Sequence, residues 1–446
     1  MAFPLPPTPR DTMPFEEALH HISDRILLVI NCSRRTEERP TNPLQSDDTS
    51  VAILHTSDGL PAPASLCFHE TITSPNRATG GIHPILSLTS HRRHLAALVR
   101  RSLTALPVGV EKPDLIAVTR GPGMVSSLAV GLDTAKGLAV AWNRPLIGVN
   151  HMLAHALTPR LVEALGEGEG AEFPFLTLLV SGGHTVLVHS RVLVEHAVVA
   201  GSIDIAIGDM VDKVARQILP VEVLEKQDEA VAYGKVLEEF CFPLGEKDWC
   251  YAPPGTRERK AENGLKLEKW GNWKMAPPLR LHPRPDAFSF AGLGSAVERY
   301  MDANPEIGLA EKKVLGREAM MVAFEHVADR AVAALRSPQA EGIKSLVISG
   351  GVASNHFLRH LMRRYLDHAG FEHVQLVCPP VKYCTDNAAM IAWAGLELWR
   401  FGWRTDLEVL PIRKWSLDNS VECEDIDARG PKQRGGVLGV SGWVRR

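Results

Sequence analysis

Two apolar strands that run into the same Ser-Gly-Gly turn restrict the folds open to this chain more than any other feature. Phe175-Leu-Thr-Leu-Leu-Val180 leads into Ser181-Gly-Gly-His-Thr185, and Lys344-Ser-Leu-Val-Ile348 leads into Ser349-Gly-Gly-Val-Ala-Ser-Asn355. Short apolar runs without polar alternation fit strands covered on both faces. A glycine pair at such a strand end lets backbone N–H groups approach a phosphate or ribose with no Cβ between them. The alternative for each turn is a plain strand exit.

The first part of the chain uses the same grammar. Arg25–Ile30 and Thr49–Leu54 read as buried strands, and residues 85–106 as an amphipathic helix. Leu115–Thr119 is a strand entering the turn Gly121-Pro-Gly123, Ser126–Trp142 a helix, and Pro145–Val149 a strand that leads to His151. Strands alternating with helices make an α/β protein. At 446 residues the chain is long enough for more than one core. The predicted division is an N-terminal extension over 1–25, a first lobe over 26–150, a second lobe over 151–400, and a C-terminal segment over 401–446. An insertion at about 218–285 is marked by Trp249, Trp270, Trp273 and two Pro-Pro breakers. From about Ser416 the tail is polar and Gly-rich, and is expected to be only partly ordered.

Composition excludes some classes. No apolar run reaches the roughly 18 residues that a membrane span needs. A net charge of −3 is not that of a basic nucleic-acid module, so RNA contact must come from local patches such as Arg359 with Arg363–Arg364. Seven scattered cysteines without a CxxC pair point to reduced thiols in an intracellular compartment.

His151 and His155 are four apart, which on a helix projects both imidazoles from one face. That spacing suits two ligands of one divalent metal; a core-satisfied pair is the alternative. A zincin protease needs Glu directly after the first His, and Met152 stands there. Asp386, in Cys384-Thr-Asp-Asn387, precedes an apolar helix and reads as an N-terminal cap, while Asp212 reads as an exposed acid on a helical stretch.

Taken together and in order, eight segments resemble the tRNA threonylcarbamoyladenosine transferase family. They are Gly121–Gly131, Ala135–Ala139, Asn150–His155, Leu179–Thr185, Asp212–Arg216, Phe288–Leu293, Val347–Asn355 and Cys384–Ile391. The resemblance implies a two-lobed actin-like/sugar-kinase ATPase fold. It implies transfer of a threonylcarbamoyl group from threonylcarbamoyl-AMP to the exocyclic amine of adenosine 37 in tRNAs reading codons that start with A. By the same resemblance one divalent metal ion per subunit, iron or zinc, is held by His151, His155 and Asp386. The adenylate is held by Val180, Ser181, Gly182, Gly183, His184, Asp212, Gly234, Glu238 and Asn355. Its partners are tRNA, the adenylate donor and a second copy in a homodimer. His184 and the long insertion are similar to the bacterial and mitochondrial branch, fungal mitochondrial members in particular, and so imply the mitochondrial matrix.

The chain departs from the family pattern in three places. Asn31-Cys32-Ser33 and Asp47-Asp48-Thr49, which resemble the halves of an acidic loop, are separated by the stretch Arg34–Ser46. The usual Pro-Gly-Gly-Pro turn after Asp212 is missing, and Pro84-Ile-Leu-Ser-Leu88 lacks the family's acid. A small-molecule kinase or ATPase of the same fold, and a non-catalytic subunit of a tRNA-modification complex, are the alternatives.

Overall fold

The computed structural model describes residues 25–33, 48–57, 63–75, 83–227, 231–261, 275–281, 284–423 and 433–445. The readings made above for residues 1–24 and 34–47, and for Trp270 and Trp273, lie outside them.

Two mixed sheets carry the fold. The first is built from β1 (Arg25–Ser33), β2 (Asp48–Thr56), β3 (Ala64–Thr73), β4 (Leu115–Gly121) and β5 (Leu146–Asn150), in the order β5-β4-β1-β2-β3. The second uses β6 (Phe175–Val180), β7 (Thr185–Val192), β8 (Glu195–Ser202), β9 (Ala287–Phe288), β10 (Ser345–Ser349) and β11 (Gln375–Val377), in the order β11-β10-β6-β7-β8-β9. The plan repeats. In each sheet an antiparallel three-strand meander is extended by two parallel strands that join on its first strand. The grammar read from sequence is therefore the grammar of the fold.

Period-two alternation explains why the central strands need to be apolar throughout. In β1, Ile26, Leu28 and Ile30 enter one core, while Leu27 and Val29 enter another on the opposite face. Helices α1 (Pro84–Leu103) and α2 (Val125–Trp142) supply the first core; α3 (His151–Ala164) and the helix Ala388–Arg400 supply the second. Each such fully buried Leu or Ile contributes on the order of 1.5–3 kcal/mol. The second sheet is covered by α4 (Ile207–Ile218), α5 (Val221–Leu224), α6 (Tyr233–Cys241) and the long helix Leu309–Leu335, among others. In the insertion, Trp249 packs against His356 and His360 of the helix His356–His368, with ring centroids at 6.3 and 5.4 Å.

The chain then returns to the first sheet. Helix Ala388–Arg400 lies on β1, β2, β4 and β5, and β12 (Trp403–Thr405) pairs with β5. After a two-stranded ribbon, β13 (Glu422–Cys423) with β14 (Gln433–Arg434), the last strand β15 (Trp443–Arg445) pairs with β12. In the described part of the polar tail, Leu417, Val437 and Val440 are buried, as is Trp415 just before it. Among the described residues, no helix is long and apolar enough to cross a membrane.

A candidate metal centre beside two glycine turns

The metal-type cluster begins at the end of β5. Asn150 caps α3, its side-chain oxygen accepting from the N–H groups of Met152 (2.8 Å) and Leu153 (3.2 Å). The helix therefore starts at His151, and His155 follows one turn later on the same face. Both are buried, and the rings meet edge to face with centroids 4.8 Å apart.

Asp386 completes the cluster from the far end of the chain. Its Oδ1 lies 3.2 Å from His151 Nε2 and 3.1 Å from His155 Nε2. The capping role expected for Asp386 belongs instead to Asn387, whose side chain accepts from Met390 N–H at 3.0 Å. Ser50 of β2 takes the next donor, the N–H of Ala388, at 3.0 Å. With the helix end satisfied by its neighbours, the Asp386 carboxylate is left to face the imidazoles. Two nitrogen donors and one carboxylate oxygen, all within 4.8 Å of one another, are a donor set that fits zinc or iron(II) with positions left for substrate.

The acidic-loop halves are brought side by side even though their connection lies outside the described residues. In the β1–β2 register Cys32 faces Thr49 and Ser33 faces Asp48. Asp48 is buried and its Oδ1 accepts from Thr73 Oγ1 at 2.6 Å. It lies on the same side of β2 as Ser50, two residues on, which meets the Asp386 loop.

The two Ser-Gly-Gly turns touch. Strands β6 and β10 are parallel neighbours, with Leu179 opposite Ser349, so both turns leave the same sheet end. Gly350 has φ +100 and packs so closely on the carbonyl of Val180 that a Cβ there would overlap it. Ser349 Oγ stands 3.5 Å from His155 Nδ1, so the second turn also borders the metal-type cluster. The first turn closes on itself. Ser181 N–H donates to His184 O (2.9 Å), and His184 N–H donates to Ser181 Oγ (3.1 Å). Helix α4 clamps it from outside through Gly208 N–H to Ser181 O (3.2 Å).

The remaining expected adenylate residues fall into two pairs. Asp212 is not the exposed acid read from sequence. It is held by the backbone N–H of Gly234, and a Cβ on Gly234 would lie 3.5 Å from its Oδ1. Burial pushes its carboxyl up to about 7, against the opposing pull of Arg216. Glu238 and Asn355 meet at the N-terminus of helix His356–His368. Glu238 Oε1 accepts from Phe357 N–H at 2.8 Å, and the Asn355 side chain accepts from Leu358 N–H at 2.8 Å. Both thus also serve as caps, and burial raises the Glu238 carboxyl above its ordinary value.

Sequence reasoning missed three participants. Arg359 ties the second turn to the Asp386 loop, donating to Ala353 O (2.6 Å) and Pro379 O (3.0 Å). Its only sequence signal was a basic cluster. Asp204 receives Ser289 Oγ–H (2.6 Å) and Phe290 N–H (2.9 Å), which explains the Phe288–Leu293 motif as a helix start with two buried rings. The third is the segment Ile412–Asp418, which straps across both lobes. Ile412 N–H donates to Arg120 O (2.8 Å), Gly123 N–H to Arg413 O (3.1 Å), Asn150 Nδ2 to Trp415 O (3.2 Å) and Val198 N–H to Asp418 Oδ2 (2.8 Å). Under this strap lies a cavity of about 230 Å³, which reaches Met152 and His184.

The family model described as "TsaD: tRNA N6-adenosine threonylcarbamoyltransferase" matches residues 67–393. A mitochondrial tRNA N6-adenosine threonylcarbamoyltransferase of Schizosaccharomyces pombe is 36% identical over 395 residues, covering 85% of this chain and 86% of that protein. The tRNA N6-adenosine threonylcarbamoyltransferase of Methylocapsa acidiphila is 32% identical over 382 residues, covering 84% of this chain and 96% of that protein. That of Cereibacter sphaeroides is 35% identical over 380 residues, covering 84% and 92%.

Proposed function

The chain belongs to the tRNA N6-adenosine threonylcarbamoyltransferase family, and we propose that the cluster His151, His155 and Asp386, with the two adjoining glycine turns, is its transfer centre. The actin-like/sugar-kinase ATPase fold class expected from the sequence goes with that membership, and the enzyme is a transferase that modifies adenosine in tRNA.

The observation that carries the reading is the juxtaposition of a buried two-histidine, one-carboxylate cluster with the Ser-Gly-Gly turn of β10, through Ser349 and His155. We read the donor as threonylcarbamoyl-AMP. In the transfer, the exocyclic nitrogen of the acceptor adenosine forms a bond to the carbamoyl carbon. The bond from that carbon to the phosphate oxygen breaks, AMP departs with the electron pair, and the nitrogen loses a proton. The leaving group is good already; the protein has to orient two reactants and balance the phosphate charge.

Each part of the site suits one of those tasks. Gly182 and Gly183 place no side chain between their N–H groups and an incoming phosphate. The Asp212 carboxylate is an acceptor for ribose hydroxyls, and Gly234 beside it keeps a Cβ from crowding its Oδ1. Glu238 and Asn355 hold the start of helix His356–His368, so the second turn stays fixed against the first. A divalent metal, iron or zinc, bound by His151, His155 and Asp386 would supply a Lewis acid and template for substrate oxygens. No side chain is assigned as general base.

We place the protein in mitochondria, on the strength of the Schizosaccharomyces pombe relative's description as mitochondrial, and as a homodimer on the resemblance alone. The test is direct. Purified protein with threonylcarbamoyl-AMP and unmodified tRNA should form the modified nucleoside, and import of a tagged chain should follow mitochondria.

A further inference from the structure

We propose that the cavity beneath the strap Ile412–Asp418 receives the base of the acceptor nucleotide, with Arg413 meeting a flanking phosphate. This rests on the reading of the chain as a tRNA-modifying transferase, and it names the acceptor side of that site.

The cavity sits where an acceptor must approach. Met152 in its wall is the neighbour of the cluster residue His151, and His184 is the last residue of the β6 turn assigned to the donor. The opposite wall is Val186, Val188 and Val198 of β7 and β8, and strap residues from Arg413 to Leu417 close it. Apolar walls with a few polar groups beside them suit a planar heterocycle. Two cationic residues, Arg413 and Lys414, line the cavity, and Arg413 is exposed. A polynucleotide brings a phosphate on either side of its base to such cations. The cavity shares only His184 with the residues assigned to the adenylate, which separates acceptor from donor. A protein with net charge −3 that binds RNA needs local cations at the point of contact, and this strap provides them.

The experiment fills the cavity from a residue outside the donor set. The Val198 backbone N–H is held by Asp418, a contact that a side-chain change leaves in place. Val198→Phe should raise KM for tRNA at least about tenfold, while threonylcarbamoyl-AMP affinity stays unchanged. Val186→Phe fills the same space from the neighbouring strand and should give the same split. Arg413→Glu should weaken tRNA binding and lower the slope of log affinity against log salt by about 1. Unchanged tRNA kinetics in both Phe variants overturns the assignment, and so does a parallel loss of donor affinity, which would give the cavity to the donor. Absence of product from the unaltered enzyme is a different result and overturns the transferase reading itself.

Discussion

His155 Nε2 lies 3.1 Å from Asp386 Oδ1, although 231 residues separate them in the chain. The contact joins α3, one turn from its start, to the loop before helix Ala388–Arg400, and those two helices pack on each other beneath the first sheet. The cluster is thus assembled by the fold's return to its first lobe, not by a local motif.

Removing one donor from a three-donor cluster should abolish tight metal binding. His155→Ala and Asp386→Ala are expected to lower metal affinity by at least about 100-fold, above the loss typical of outer-shell changes. Elemental analysis after dialysis, with circular dichroism to show retained helix, checks it. Stoichiometric metal in either variant would place the ion elsewhere.

Arg359 should act as a positioning residue for the same cluster. It spans Ala353 O and Pro379 O, and so fixes the second turn against the Asp386 loop. Arg359→Ala is expected to weaken metal binding about 10–100-fold with the melting transition still cooperative. Arg359→Lys should not restore it, because an ammonium cannot reproduce the planar fork. Full rescue by Lys would show that charge alone matters there.

Gly350 is constrained twice, by its φ of +100 and by its packing on the Val180 carbonyl. Gly350→Ala therefore carries left-handed strain of about 1–3 kcal/mol, with the overlap in addition. The expected outcome is a lower Tm together with weaker donor binding, measured by thermal melting and calorimetry. A silent substitution would mean that the two turns are not pressed together.

Asp212 makes the site sensitive to pH. Its folded value of about 7 lies above the unfolded value of about 3.9, so the neutral form stabilises the fold. That contribution is complete below about pH 4 and is lost as pH rises through 7. Asp212→Asn should lose less Tm than the unaltered chain between about pH 5 and pH 8. Donor affinity should rise over the upper part of that range in the unaltered enzyme, as the carboxylate ionises and accepts ribose hydroxyls, and should be flat in Asp212→Asn. Parallel pH profiles would remove Asp212 from the pocket.

The sequence made some of this legible and not the rest, for physical reasons. Strands β1, β4, β6 and β10 are buried on both faces and so read as mostly apolar runs without alternation. The His151/His155 pair is visible because one helical turn sets its spacing. Strand β3 is only half-buried and carries a polar, mixed pattern, so nothing in Ala64–Thr73 announces it. Strands β12 and β15 span three residues each, too short for a period to register. Taken alone, Asp386 reads as a cap, because a carboxylate before a helix usually is one, and only the resemblance offers it as a ligand; the folded contacts show that Asn387 and Ser50 already satisfy that helix end. The touch of Gly350 on Val180 and the strap over the cavity depend on tertiary packing, which no local pattern encodes.

The central claim is tested most directly by incubating the purified, metal-loaded chain with threonylcarbamoyl-AMP and unmodified tRNA, then analysing the tRNA nucleosides by mass spectrometry. N6-threonylcarbamoyladenosine should form with the unaltered chain and not with His151→Ala. Absence of that nucleoside with a folded, metal-bound protein, or its undiminished formation by metal-free His151→Ala, would contradict it.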